Sequence, residues 1–197
     1  MQKNKQGTLT TPDLVLLSLL AERPMHGYQA NAELERREWR DWVDISRPQL
    51  YYSMEKLART GMIAVADTDE PSGGPDRRVF ATTGKGRAAL ASALECEDWS
   101  AQRDRPAFLT WLALSWQARP GVVARQLARR KEFLQAQLAK EQSTLRDVRR
   151  EVGHRYHEAI WMIELMIAQF RTEQRWLAKV SRELRLRAPA RRPSYAS

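Results

Sequence analysis

Between Ser46 and Ile63 the chain reads SRPQLYYSMEKLARTGMI, and one side of this stretch could bind a polyanion. Advanced at about 100° per residue, Gln49, Tyr52, Lys56 and Arg59 share a face, bringing an amide, a phenol and two cations together with few acids. Amide and cationic side chains can hydrogen-bond to base edges, and cations neutralise phosphates, so Lys56 and Gln49 are expected to point outward and read bases. Downstream, Arg77 and Arg78 flank a Gly/Pro cluster, and Lys85 and Arg87 stand at a helix start whose free N–H groups favour anions. These four are expected to hold phosphates.

Positioning such a face requires a helix with defined ends. Ser46 and Gln49 have the spacing of a capping box, Pro48 suits a first turn, and Gly61 supplies the stop. Leu50, Met54 and Leu57 form the apolar stripe that anchors it. Upstream, Thr11, Pro12 and Asp13 read as cap, first helical position and first-turn acid of a short, mostly buried helix, LVLLSLLAER. A second helix starts at His26 and runs through HGYQANAELERREW, with Trp39 and Trp42 as core or interface anchors. After Gly61, the β-run Ile63 to Asp67, the turn cluster DEPSGGPDR and the β-run Arg78 to Thr83 predict a hairpin with an Arg-bearing tip. Tyr51, about a quarter turn from the stripe, is set either to reach phosphate or to pack beneath that hairpin.

Gly84 opens another helix running toward Asp98 and Trp99, and the polar SAQRDRP to Pro106 predicts a hinge. Beyond it, FLTWLALSW is apolar enough for a buried helix. Leu127, Leu134, Leu138, Leu145 and Val152, then Tyr156, Ile160, Ile163, Ile167, Phe170 and Leu177, follow heptad-like spacing. Gly153 separates the two seams, predicting a helical hairpin, with one bent helix as the alternative. The expected organisation is a winged domain over 1–95, a linker over 96–106, a helical dimerisation domain over 107–185 and a basic disordered tail over 186–197.

Three helices and a β-hairpin, followed by long helices, describe a mainly α chain with a winged helix-turn-helix. The TPDLVLLSLL opening, HGYQ, LYYSMEKLARTGMI and RRVFATTGKGR resemble the PadR family of bacterial transcriptional regulators over roughly residues 8–90. That resemblance implies a homodimeric repressor of double-stranded DNA, often responsive to a small molecule. Carried over by position, Tyr51 matches the family's tyrosine in its recognition helix, Leu50, Met54 and Leu57 match core positions, and Gly61 matches the helix-ending glycine. The chain departs from the pattern at RPQ, where the family has a small or Gly-containing segment, at the second tyrosine Tyr52, and at the acidic tip DEPSGGPD.

Charge and composition bound the alternatives. The 197 residues carry 33 Lys and Arg against 24 Asp and Glu, net +9. Residues 1–90 hold 13 basic and 12 acidic side chains, so the excess lies in the second half and DNA binding must rest on local patches. The single Cys96 excludes an internal disulfide, and no run is apolar enough for a membrane span, which together suit a cytoplasmic protein. Acids around Cys96 would raise its thiol pKa, Glu151-x-x-His154 lacks the second pair that a di-metal bundle needs, and Gly84-Lys85-Gly86 is not followed by Ser or Thr as a phosphate loop requires. No enzyme, metal or cofactor is expected. Trp99, Trp111, Trp116, Trp161 and Trp176 either form dimer core or line a pocket for an apolar or aromatic effector, where Arg could fix an anionic group. A winged protein-interaction module with a basic helical arm for an acidic partner is the rival reading.

Overall fold

Thr10 opens the first helix: its backbone N–H donates to Asp13 Oδ2 at 2.7 Å, closing a capping box one residue earlier than Thr11 would have set it. The computed structural model describes residues 9–41, 43–66, 78–101 and 106–186. It divides into two compact units, Met1–Arg103 and Asp104–Ser197. Arg77, Trp42, the turn cluster and the tail beyond Leu186 lie outside the described residues.

In the first unit, α1 (Thr11–Glu22) is the central strut. Leu16, Leu17, Leu19 and Leu20 are buried on it, and α2 (Gly27–Arg36), α3 (Arg47–Arg59), the wing and α4 (Gly84–Leu94) pack around them. The second helix stops at Arg36, short of Trp39, because Glu38 takes φ 54° and turns the chain into a 3-10 segment, Trp39–Asp41. Trp39 still packs against the core. At the end of α3, Gly61 with φ 69° lets its own N–H reach Ala58 O at 3.0 Å and the Met62 N–H reach Leu57 O at 2.9 Å. This is the Schellman pairing that the Thr-Gly sequence predicts.

The wing joins β1 (Ile63–Val65) to β2 (Phe80–Thr82) antiparallel, with Ile63 opposite Thr82 and Val65 opposite Phe80. Met25 and Phe80 exchange backbone bonds at 3.0 and 3.1 Å, so the segment before α2 extends the pairing. Two three-residue strands are marginal alone. Thr82, buried and donating its hydroxyl to Leu17 O at 2.8 Å, fastens the wing to α1. The helix expected to run toward Trp99 ends at Leu94, and a separate turn, α5 (Asp98–Ala101), follows.

In the second unit, α7 (Val122–Val152) and α8 (Glu158–Leu186) form a helical hairpin that turns at Gly153, φ 73°. Two apolar clusters line it, Leu145 with Ile160, Ile163 and Ile167, and Leu127 with Leu134 and Leu177. Tyr156 leaves the expected seam: it precedes α8 and is exposed. The short helix α6 (Ala107–Leu114) also corrects the sequence reading, for it buries none of its residues, and Leu109 and Leu114 are exposed. No helix among the described residues is long and apolar enough to cross a membrane.

Gly86 leaves no room for a side chain. A Cβ there would lie 2.1 Å from Met62 O and 3.0 Å from Leu17 Cδ2, so only glycine lets α4 close on α1 and the wing. Because backbone is the obstacle, Gly86→Ala is expected to lower stability by about 3 kcal/mol, read as a lower thermal midpoint of the winged unit.

Candidate nucleic-acid interface

Helix α3 is held by its ends and by one ion pair. At its start the Ser46 N–H and hydroxyl both donate to Gln49 Oε1, at 2.7 and 2.9 Å, so the capping box forms as the spacing predicts. At its end Lys85 Nζ donates to Thr60 O at 2.7 Å, adding a cation where the helix dipole is negative. Arg87 likewise donates to Ala21 O at 3.5 Å, near the end of α1. Both cations remain exposed while they cap their own fold.

Lys56 departs from its place on the helical wheel. Its ammonium turns inward and lies 2.6 Å from Asp13 Oδ2, a carboxylate with no exposed side-chain surface. Burial alone would raise the Asp13 carboxyl, but hydrogen bonds from Lys56 and from the Thr10 N–H and hydroxyl outweigh it and hold the carboxyl below its ordinary value. Lys56 is drawn in because a buried carboxylate needs a cation, a demand no wheel drawn for α3 alone contains.

What α3 does present outward is mainly aromatic and cationic, with Glu55 as an exposed acid among them. Tyr52 is 65% exposed and Tyr51 37% exposed, and Arg47 and Arg59 are exposed at the two ends. Tyr51 packs against α2 rather than beneath the wing: a Cβ on Gly27 would stand 2.9 Å from Tyr51 Cε1. The Arg47 guanidinium lies over the Tyr51 ring at 5.8 Å from its centroid. Beside them Tyr28, exposed, stacks on His26 at 5.4 Å. Arg47 and Tyr28 were not singled out from sequence. The signal for Arg47 was there, since a cation stands in a first turn where acids are stabilising and none is present. Arg78, exposed, lies two residues before β2, which begins at Phe80 rather than at Arg78 as the sequence predicts.

Behind this face, a carboxylate network braces α1 against α2. Glu33 accepts from Arg23 at 2.7 Å, Arg36 at 2.9 Å and Arg37 at 3.0 Å, while Arg37 also forks onto Glu22. The Arg36 hydrogen bond, together with Arg37, overcomes desolvation and lowers the Glu33 carboxyl to about 2.

In the second unit a cavity of about 540 Å³ opens among α6, α7 and α8, lined by Phe108, Leu109, Trp176 and the paired Arg130 and Glu173. No cluster of three metal-ligating side chains occurs among the described residues. Cys96 is exposed.

Residues 16–92 match the Transcriptional regulator PadR-like family. No curated protein sequence matches the chain. The fold is similar to Bacillus subtilis PadR, solved in complex with operator DNA, at TM-score 0.73 and 13% identity over 90% of this chain and 99% of that one. It is similar to the PadR-like regulator BC1756 from Bacillus cereus at TM-score 0.67 and 18% identity, over 89% of this chain and 99% of that one. Similarity extends to the Vibrio cholerae virulence activator AphA, at TM-score 0.63 and 18% identity over 90% and 100%.

Lys56→Met leaves Asp13 buried without its cation and is expected to cost about 3 kcal/mol near neutral pH, read by denaturant titration. The depressed carboxyls set a pH window too. Glu33 and Asp13 contribute stability that is fully present above their unfolded values, near 4.5 and 3.8, and is lost as pH falls through the folded ones. Acid unfolding of Glu33→Gln should therefore show a shallower fall in stability between about pH 4.5 and 2 than the parent protein.

Proposed function

We propose, from the premise that this chain belongs to the PadR-like family of transcriptional regulators, that it is a cytoplasmic homodimer that binds a palindromic DNA operator and represses transcription until a small molecule releases it. The observation that carries the DNA reading is the exposed face of α3, a helix capped at both ends and tied to α1, which offers Arg47, Tyr51, Tyr52 and Arg59 in the third-helix position of a winged fold. Two such helices about one turn of DNA apart, roughly 34 Å, would enter successive major grooves. Arg59, Lys85, Arg87, Arg78 and Arg77 then serve the phosphates, Gln49 keeps an amide NH₂ for a base edge, and Lys56 positions the helix.

Two observations in the second unit support the finer reading. Leu109, Leu114, Trp161 and Leu165 are exposed, each by about half or more, and apolar groups on this scale favour burial against a second copy. The aromatic cavity beneath α6 offers a place for a flat effector. Arg130 and Glu173 neutralise each other there, which favours a neutral ligand over an ion.

Fluorescence anisotropy with a labelled duplex, taken from a random library by selection on the full chain, tests the function. Five phosphate contacts per protomer predict a log–log salt slope of roughly −9 for the dimer. Affinity that ignores salt, or binding to an acidic protein in preference to DNA, favours the interaction-module reading. Sedimentation is expected to give a dimer, and Trp161→Asp with Leu165→Asp a monomer with at least tenfold weaker operator binding, because one half-site is lost.

A further inference from the structure

The two side chains of α3 that composition nominates as base readers are both engaged by the fold. The Lys56 ammonium is held at Asp13, and the Gln49 carbonyl accepts both hydrogens that Ser46 offers. An amide reads adenine by presenting carbonyl and NH₂ together to N6 and N7. With its oxygen fixed in the cap, Gln49 can donate but cannot close that pair. The resulting vacancy in base reading falls at the start of the helix, which is the part that meets base edges when a recognition helix docks.

Arg47 occupies that start. It is the first residue of α3, exposed, and its guanidinium is steadied by the face of Tyr51 at 5.8 Å. A ring engages the guanidinium face and leaves the in-plane N–H donors available. Tyr51 is itself steadied, because Gly27 admits its ring against the start of α2. A cation at this position works against the positive end of its own helix, and the first turn holds no acid to offset it. Such an arrangement serves a partner rich in acceptors better than it serves the isolated helix.

We propose that Arg47 is the specificity-determining residue of α3 and reads a guanine, through its O6 and N7, at one symmetric position in each half-site. The inference rests on the DNA-binding reading above and adds the base and the side chain. Guanine follows from donor geometry: a fixed fork of N–H groups matches two adjacent acceptors, and among major-groove edges only guanine presents O6 and N7 side by side. Tyr51 is the positioning residue that aims the fork.

The test is selection from a random-sequence duplex library by the full-length protein, by Arg47→Lys and by Arg47→Ala, with thermal midpoints recorded for each. The parent protein should enrich a palindrome with a fixed guanine in each half, and both variants should enrich the same palindrome with that position unspecified. Against the parent's operator, Arg47→Lys should lose roughly tenfold or more while its affinity for random duplex changes little, since the charge is kept and the fork is lost. Replacing that guanine by 7-deazaguanine should weaken the parent protein and leave Arg47→Lys unaffected. Retention of the guanine by the variants, or equal losses on operator and random duplex, overturns the assignment to Arg47 and makes it a phosphate contact. Failure of the parent protein to enrich any sequence overturns the DNA reading itself, and the assignment with it.

Discussion

A carboxylate cut off from water cannot be left alone, and in this protein that rule sets the placement of the helix on which function depends. Asp13 closes the cap of α1 through Thr10 and, from the same oxygen, takes the ammonium of Lys56 in the last turn of α3. Sliding or rotating α3 would strip the cation from the carboxylate, at a cost far above that of an ordinary surface contact. The pair therefore acts as a register pin. Capping boxes at Thr10, His26 and Ser46 fix where the three helices begin, and the pin fixes how the first and third face one another.

The local rules of the winged unit were legible because each involves residues close in sequence. Ser46 with Gln49, Leu50 with Met54 and Leu57, and Gly61 after Thr60 gave the third helix its cap, its buried face and its end. What a linear reading could not supply was the destination of a long cation. Lys56, Lys85 and Arg87 each reach an acceptor 25 to 66 positions away, a buried carboxylate in one case and the last carbonyls of a helix in the other two. A basic residue on an outward face looks the same in sequence whether it awaits a phosphate or closes its own fold. The one-residue shift at Thr10 has a related origin, since Thr10 and Thr11 are both competent caps and only Asp13 three positions on selects the first.

In the second unit the heptad spacing predicts the hairpin and its glycine turn but misplaces Tyr156, and apolarity overstates the burial of α6. Tyr156 continues the numerical pattern after the backbone has left the helix, because a period does not know where hydrogen bonding stops. FLTWLALSW is apolar throughout, and high apolarity was read as burial. Phe108 and Trp111 do pack on the hairpin, whereas Leu109 and Leu114 stay more than half exposed. Mean hydropathy measures how much surface seeks cover, not whether the same chain provides it.

The hairpin of α7 and α8 also carries an order of assembly. Arg149 meets Glu164 across 15 positions near the turn, and Arg130 meets Glu173 across 43 positions farther out. Loop-closure entropy makes the inner pairing cheaper by about 1 kcal/mol before any side chain is considered. Loop closure by itself therefore favours pairing from Gly153 outward, through the Leu145 and Ile163 layer before the Leu127 and Leu177 layer. On a ribosome the inner layer can close as soon as the start of α8 emerges, while the aromatic end around Phe108 and Trp176 must wait for nearly the whole chain.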